Sequence, residues 1–333
     1  MGRMSPATLE NVVRKALRYA EGQVIFAFQG GEPTLVGTAF YEKLLELQKR
    51  YNTGGVRIQN VIQTNGYRLD SALLDLFARE KFLVGISLDG TAQLHDRLRV
   101  DAAGNGAAAA VEETIRQLQE RNVDFNILCV VSRDIADHAA PVFRCLKKYG
   151  YLQYIPCLDP FDGSRSQHSL TPDAYGTFLR ETFDLYYQEF RRGSFVSVRN
   201  FDNYLGILAG IPPENCAMRG QCAQNYLIEA DGSVYPCDFY VLDQWRMGNI
   251  NEDSFFKLEK SQVGAAFRRA SHSLPSACHS CRWAFLCWGG CRRDREPILD
   301  GRPSDNHWCA AYQSFFAYSY PRMQEMAKTL YHR

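Results

Sequence analysis

Eight cysteines near the C-terminus are the residues of this sequence best suited to chemistry. The chain has eleven cysteines, and these eight are Cys216, Cys222, Cys237, Cys278, Cys281, Cys287, Cys291 and Cys309. The first three follow the pattern C-x5-C-x14-C, the next four follow C-x2-C-x5-C-x3-C, and the last stands alone. Eight is twice four, the number of ligands held by one tetrahedral zinc ion or one cubane iron–sulfur cluster.

The spacing leaves two kinds of metal site open. C-x2-C pairs are common in zinc sites. Aromatic and glycine-rich surroundings such as RWAFLCWGG can instead shield an iron–sulfur cluster and donate backbone N–H groups to its sulfurs. Disulfides are the weakest option, because the N-terminus MGRMSPATLENVVRKAL lacks the apolar core of a signal peptide and predicts a reducing, cytoplasmic location. Spacing alone does not decide between zinc and iron–sulfur.

Polar and small residues follow several predicted strands earlier in the chain. They are Gln29-Gly30-Gly31-Glu32, Gln63-Thr64-Asn65-Gly66, Ser87-Leu88-Asp89-Gly90 and Leu158-Asp159. Tight turns alone would explain one such loop. Three similar loops on successive strands favour a shared ligand site, because ligands of parallel α/β folds bind at the carboxyl ends of the strands.

The elements that must position these residues alternate through the first two hundred positions. Repeated strand–loop–helix units predict an α/β fold with a parallel sheet, either open or curved into a partial barrel. Helical spacing is predicted near 107–121, 135–149 and 172–192. From about residue 210, helical periodicity gives way to Gly, Pro, Cys and short strands, with a hairpin turn at Asp231-Gly232, as in a small metal-organised domain. Residues 308–330 return to helix and are expected to pack against the barrel.

Charge and composition exclude some classes of partner. The formal net charge is +1, which gives no reason to expect non-specific binding to nucleic acid or acidic membranes. Hydrophobic residues make up 46% of the chain and charged residues 23%, as in ordinary globular proteins. No uninterrupted apolar run is long enough to span a bilayer.

The motifs together resemble a known family. The run C-x2-C-x5-C-x3-C, with a distant cysteine after it and a C-x14-C hairpin before it, looks like the SPASM domain, which carries two auxiliary 4Fe-4S clusters. QGGEPTL, QTNG and SLDG resemble S-adenosylmethionine-binding elements of the radical SAM superfamily. YPCDFYVLDQWRMGNI and FNILCVV narrow the resemblance to anaerobic sulfatase-maturating enzymes, which convert an active-site Cys or Ser of a sulfatase into Cα-formylglycine.

The resemblance implies an architecture and a set of partners. Residues 1–205 would form a partial (β/α) radical SAM barrel that lacks its first strand. Residues 206–333 would form a small, cysteine-rich α+β SPASM domain with two auxiliary clusters and a C-terminal helix. A sulfatase polypeptide would be the substrate, and flavodoxin or ferredoxin would donate electrons.

The resemblance also assigns roles to single residues. Cys216, Cys222, Cys237 and Cys291 would hold the cluster nearer the substrate, and Cys278, Cys281, Cys287 and Cys309 the outer one. Asp238 would be the general base, although an Asp in this position can merely satisfy turn amides. Contacts to S-adenosylmethionine would come from Gly31, Ser87, Arg99 and Leu158, with Arg99 suited to the carboxylate of that cofactor. Gln29 would face the substrate peptide, although a Gln at a strand end is often structural.

One departure from the family concerns the radical SAM cluster. Its C-x3-C-x2-C motif, normally in the loop after the first barrel strand, is not found in this sequence. Without that third 4Fe-4S cluster, the chain as written is expected to be inactive. Either the sequence starts inside a longer reading frame, which the retained cluster cysteines favour, or it is a short protein without this chemistry. The alternative functions are therefore a SPASM maturase of another peptide, or a non-catalytic protein that binds iron–sulfur clusters or zinc.

The remaining candidates receive no catalytic role. Cys129 lies in the apolar strand FNILCVV and is expected in the core. Cys145 and Cys157 share no ligand spacing with other residues. His279 lies within the cysteine run, but the ligand count is complete without it.

Overall fold

The structure is a computed structural model that describes residues 2–299 and 302–331. Its first helix, α1 (Pro6–Tyr19), begins at Pro6, because Ser5 accepts the Thr8 N–H at 3.1 Å and the proline suits the first turn. Within the described ranges, no helix is both long and apolar enough to cross a membrane.

Six parallel strands form one sheet in sequential order. They are β1 (Gln23–Phe28), β2 (Arg57–Thr64), β3 (Leu83–Ser87), β4 (Phe125–Val131), β5 (Tyr151–Pro156) and β6 (Ser197–Val198). Each strand pairs with the next along the chain, and in the described residues β1 and β6 do not pair with each other. The sheet is therefore not closed into a full barrel, in agreement with the partial barrel expected from the sequence. Cys129, in β4, is fully buried, as expected of a core residue.

Helices connect the strands and cover the sheet. They are α2 (Thr38–Tyr51), α3 (Ser71–Arg79), α4 (Ala92–Leu98), α5 (Ala108–Glu120), α6 (Arg133–Ala136), α7 (Ala139–Leu146), α8 (Pro172–Arg191) and α9 (Arg199–Leu208). The predictions for α5 and α8 are confirmed within a residue. The single helix predicted over 135–149 is wrong: the segment divides into α6, α7 and a 3-10 turn. Pro141, which lacks the N–H donor that a continuous helix would need there, accounts for the break.

The C-terminal part contains short strands and more helix than the sequence predicts. Its strands are β7 (Leu227–Ile228), β8 (Ser233–Tyr235), β9 (Gly248–Asn249), β10 (Ile298–Leu299) and β11 (Arg302–Pro303). Its helices are α10 (Phe255–Glu259), α11 (Gln262–His272), α12 (Ala284–Cys287) and α13 (Cys309–Tyr331). The predicted hairpin is present, since β7 and β8 are antiparallel and Gly232 has a φ of 88°. The expected end of helical periodicity near residue 210 is wrong, because α11 alone has eleven residues.

Helix α13 packs against the outer helices of the sheet, as predicted. A Cβ added to Gly176 of α8 would lie 3.2 Å from the Ala311 Cα, so the two helices approach closely. Phe315 stacks on Phe201 of α9 with ring centroids 5.5 Å apart. Helix α9 itself spans the expected domain boundary between residues 205 and 206. Because α13 begins at Cys309, this packing fixes the position of one of the eight cysteines.

Candidate functional site

A large cavity extends from helix α1 and strand β1 to the carboxyl ends of the strands, where the sequence predicts a ligand site. Its volume is about 2230 Å³, and both the strand-end loops and the cysteine-rich part line it. The sequence-predicted residues on its wall are Gln29, Gly31, Ser87, Arg99, Leu158, Cys216, Cys237, Asp238, Cys287 and Cys291. The cavity therefore brings the predicted cofactor, substrate and base residues to one space.

Glu32 connects the loops after β1 and β2. Its Oε1 accepts hydrogen bonds from the Thr34 N–H at 3.0 Å and the Thr64 hydroxyl at 2.7 Å. Its Oε2 accepts from the Asn65 N–H at 2.8 Å. The preceding Gly31 has a φ of 56°, a left-handed conformation that glycine adopts without strain. Sequence reasoning gave Glu32 no separate role, although it is the acidic residue of the GGEP motif.

Asp89 fixes Arg99 at the wall of the cavity. The carboxylate is 7% exposed, and its Oδ2 accepts from the Arg99 Nε at 2.5 Å while its Oδ1 accepts from the Val130 N–H at 2.8 Å. Behind it, the buried His95 accepts the Asp89 N–H at its Nδ1, at 3.1 Å. Sequence reasoning singled out Arg99 but not the carboxylate that holds it. The ion pair occupies Nε, and Arg99 still lines the cavity.

Asp238 faces the same cavity from the cysteine-rich part. Its Oδ2 accepts a hydrogen bond of 3.2 Å from the Gln29 Nε2, and its Oδ1 lies 3.3 Å from the Cys237 Sγ. Both Asp238 and Gln29 are exposed to the open space of the cavity. A carboxylate in this place can accept a proton from a bound group while remaining next to a cysteine thiol.

Four thiols surround a small separate pocket. Cys278, Cys281, Cys287 and Cys309 all line it. The pKa of the Cys287 thiol is raised to about 11, chiefly by burial, with the other three thiols contributing and the Gly289 N–H opposing. Gly289 has a φ of 78°, and a Cβ there would lie 3.6 Å from the Cys278 Sγ. The chain can therefore turn tightly between Cys287 and the next cysteine, Cys291.

Of the other four thiols, Cys216, Cys237 and Cys291 line the large cavity, as Cys287 of the small pocket also does. Burial raises the pKa of the Cys237 thiol to about 12, and the nearby Asp238 and Cys222 contribute to the increase. Burial likewise raises the pKa of Cys291, with contributions from Cys216 and Cys222. These thiols are therefore close enough to affect one another's pKa. The sharp turn at Gly289 separates Cys291 from the small pocket.

The arrangement of the thiols bears on the kind of metal group they could hold. In residues 2–299 and 302–331, no three Cys, His, Asp or Glu side chains converge as ligands of a single metal ion. Zinc draws its thiolates to about 2.3 Å from one point, whereas a cubane cluster holds them around a larger centre. The four thiols around the small pocket match the ligand number of one cubane cluster, as they do that of one zinc ion.

The remaining cysteines and His279 lie outside these groups. The Cys145 Sγ donates to the Gly90 carbonyl at 3.5 Å, and Cys129 is enclosed in the core. Cys157 is half-buried after β5, and His279 is exposed.

Comparisons with known proteins match both parts of the chain. The family model of the radical SAM superfamily matches residues 1–140, and that of the SPASM iron–sulfur cluster-binding domain matches residues 216–282.

Full-length relatives and a solved structure are also similar. A cysteine-type anaerobic sulfatase-maturating enzyme of Clostridium novyi (strain NT) is 42% identical, over 100% of this chain and 90% of the relative. A serine-type enzyme of Bacteroides thetaiotaomicron is 30% identical, over 92% of this chain and 78% of the relative. The structure of native anSMEcpe with bound AdoMet and Kp18Cys peptide superposes with a TM-score of 0.96 at 40% identity, over 99% of this chain and 92% of that one.

Proposed function

The chain belongs to the anaerobic sulfatase-maturating enzymes of the radical SAM superfamily, and we propose that, when a C-x3-C-x2-C cluster loop is present, it oxidises an active-site cysteine or serine of a sulfatase to Cα-formylglycine. The observation that carries this proposal is the shared cavity. Its wall combines the strand-end loops, which would hold S-adenosylmethionine, with Asp238 and thiols of the cysteine-rich part. A substrate side chain in this cavity would lie between bound S-adenosylmethionine on one side and Asp238 with the thiols on the other.

Asp238 is the proposed general base. When bound, S-adenosylmethionine and the radical SAM cluster, whose ligand motif this sequence lacks, would supply the chemistry that removes a hydrogen atom from the substrate Cβ, and the auxiliary clusters would supply an acceptor for one electron. The Oδ2 of Asp238 would take the proton of the substrate thiol or hydroxyl, so that a thiocarbonyl or carbonyl can form. The Gln29 amide, which already donates to this oxygen, would hold the carboxylate toward the peptide.

Four residues of the strand-end loops are the proposed contacts of S-adenosylmethionine. Arg99, held by Asp89, would pair with the cofactor carboxylate, and Ser87 lies at the end of the neighbouring strand β3. Gly31 allows close approach because it has no side chain. Leu158 would pack against the adenosine.

The two groups of thiols are the proposed ligands of two auxiliary 4Fe-4S clusters. Cys216, Cys222, Cys237 and Cys291 would hold the inner one beside Asp238, and Cys278, Cys281, Cys287 and Cys309 the outer one. Four thiolates per cluster leave no iron position for substrate, which favours electron transfer. We further propose residues 1–205 and 206–333 as the two domains, a cytoplasmic location, and flavodoxin or ferredoxin as electron donor.

A cysteine substrate is favoured over serine. Identity is 42% to the cysteine-type relative and 30% to the serine-type relative, and the similar anSMEcpe structure contains a peptide named Kp18Cys. This supports a preference without excluding activity on serine.

Mass spectrometry of sulfatase peptides tests the proposal. The assay uses the chain extended at its N-terminus with a C-x3-C-x2-C cluster loop, reconstituted anaerobically and supplied with S-adenosylmethionine and reductant. A cysteine peptide is expected to lose two hydrogen atoms and, after water hydrolyses the thiocarbonyl and releases hydrogen sulfide, to carry oxygen in place of sulfur. Its serine analogue is expected to lose two hydrogen atoms more slowly. Unchanged peptides, with S-adenosylmethionine nonetheless cleaved, would refute the sulfatase assignment and favour another peptide substrate.

A further inference from the structure

Arg295 is a buried cation whose bonded partners are backbone carbonyls. It is 1% exposed, and its Nη1 and Nη2 donate to the carbonyls of Ser273 and Ser271 at 2.7 and 2.9 Å. Its Nε has no partner in the part of the chain that the structure describes. These carbonyls lie at the C-terminal end of α11, where a cation is favourable, but a carbonyl does not neutralise a full charge.

Thiols of both groups interact electrostatically with this guanidinium. Cys222 and Cys291 of the inner group and Cys278 of the outer group all lie within electrostatic reach of it. Ser271 connects it to one of them directly, because the Ser271 Oγ accepts the Cys222 N–H at 2.8 Å while the Ser271 carbonyl accepts from Arg295. On the other side, Ser273, which accepts from the Arg295 Nη1, lies two residues before Pro275, whose carbonyl accepts the Cys278 N–H at 2.9 Å. Arg295 is therefore bonded to a short segment that contacts Cys222 of the inner group and leads to Cys278 of the outer group.

The charged surroundings of Arg295 do not balance its charge. Asp294 is close enough to interact electrostatically, but within residues 2–299 and 302–331 no carboxylate forms an ion pair with Arg295. Burying an uncompensated charge is costly. Thiolate-ligated iron–sulfur clusters carry net negative charge, which would supply the missing compensation on both sides.

We propose that Arg295 is the fixed cation between the two auxiliary clusters and stabilises the reduced form of each. Adding an electron makes a cluster more negative, so a nearby positive charge held in a low-dielectric interior raises its reduction potential. No bond or proton changes in this step. Arg295 would thus help the inner cluster to accept an electron from the substrate, and the outer cluster to accept that electron from the inner one. This role rests on the clusters and not on the identity of the substrate.

Arg292 provides a matched control. It is also buried, at 4% exposed, and its guanidinium lies over the rings of Phe267, Trp245 and Tyr240 at 4.3 to 4.9 Å. Its Nε lies 3.6 Å from Glu296, so it has a carboxylate partner of its own. Arg292 also lies within electrostatic reach of the inner thiol Cys222, whereas Arg295 reaches both Cys222 and the outer thiol Cys278. Replacing Arg292 therefore removes a buried arginine of similar size that acts on the inner group, while the cation near both groups remains.

The test is an EPR-monitored redox titration of the anaerobically reconstituted chain, with dithionite as reductant. Arg295→Met is expected to lower the ratio of reduced to oxidised form at least tenfold for both clusters at a fixed solution potential. A tenfold change corresponds to a decrease of about 59 mV in the reduction potential of a one-electron couple. Arg295→Lys, which keeps the charge, is expected to restore most of that change. Arg292→Met is expected to leave the ratio of the outer cluster nearly unchanged, whatever its effect on the inner cluster.

Iron content makes every outcome informative. If Arg295→Met keeps its iron and both potentials are unchanged, the proposal is overturned. If Arg295→Met and Arg295→Gln both lose iron while Arg295→Lys keeps iron and potentials, the charge is required and the proposal stands. Loss of iron in Arg295→Lys as well would assign Arg295 only the role of bonding the carbonyls at the end of α11.

Discussion

Gln29 and Asp238 lie 209 positions apart in the chain, yet the Gln29 Nε2 donates to the Asp238 Oδ2 at 3.2 Å. Gln29 directly follows strand β1, and Asp238 directly follows Cys237. The contact joins the sheet to the cysteine-rich part at the proposed site of proton transfer. It also limits the directions in which the carboxylate can point.

Asp238→Asn is predicted to reduce peptide oxidation about 10²–10⁴-fold, the usual contribution of a positioned general base. Gln29→Ala is predicted to reduce it less, by about tenfold, because the carboxylate remains but loses its orienting donor. Both are measured by mass spectrometry of the peptide, with S-adenosylmethionine cleavage followed in parallel. Full oxidation by Asp238→Asn would remove Asp238 as the base.

Asp89→Asn is predicted to weaken binding of S-adenosylmethionine about tenfold, because a charged hydrogen bond that holds Arg99 becomes a neutral one. Isothermal titration calorimetry on the chain carrying the cluster loop measures the change. Asp137→Asn is the control, since Asp137 pairs with Arg133 at 3.0 Å on the exposed surface. Equal affinities in all three proteins would show that Asp89 does not act through Arg99.

The periodic spacing of apolar residues made much of the fold predictable from sequence. The alternation of buried strands and amphipathic helices predicts the sheet, and α8 at Pro172–Arg191 lies almost where helical spacing indicates 172–192. Helix α11 was missed because it buries few residues, among them only one large apolar side chain, Phe267. Its position depends on packing and on Arg295 at its end rather than on its own periodicity.

Tertiary contacts made the finer parts of the site unpredictable. The sequence places polar residues at strand ends, so Gln29 and Ser87 could be selected as site residues. It does not show that Asp89 is buried against Arg99, or that Arg295 interacts with thiols of both groups. Such contacts form where several secondary-structure elements pack together and exclude water, so they cannot be predicted from the local sequence pattern of any one element.

Acid is predicted to destabilise the fold through His95. The side chain is fully buried, its Nδ1 accepts the Asp89 N–H, and burial lowers its pKa below the usual 6.5, with Arg99 contributing and Asp89 opposing. Below pH 6.5 the unfolded chain binds a proton that the folded chain does not. The free energy of unfolding therefore decreases as the pH is lowered. The slope is at most about 1.36 kcal/mol per pH unit.

Urea unfolding between pH 5 and 8 measures this slope. His95→Asn is expected to flatten it, whatever its effect on stability at pH 8, because Asn can accept the Asp89 N–H but does not titrate. His272→Asn, at an exposed position, is expected to leave the slope as it is. A His95→Asn protein with the original slope would assign the acid sensitivity to other groups.

Cys291 is predicted to belong to the inner cluster although it follows Cys287, of the outer group, by only four positions. Cys291→Ser is expected to lower iron from about eight to about four atoms per reconstituted chain. Adding Cys216→Ser should then change little, since both residues would serve the same cluster, whereas adding Cys281→Ser should remove nearly all iron. Cys145→Ser, outside both groups, is the control. Retention of about four irons by the Cys291→Ser, Cys281→Ser double variant would place both cysteines on one cluster and contradict the interleaved assignment.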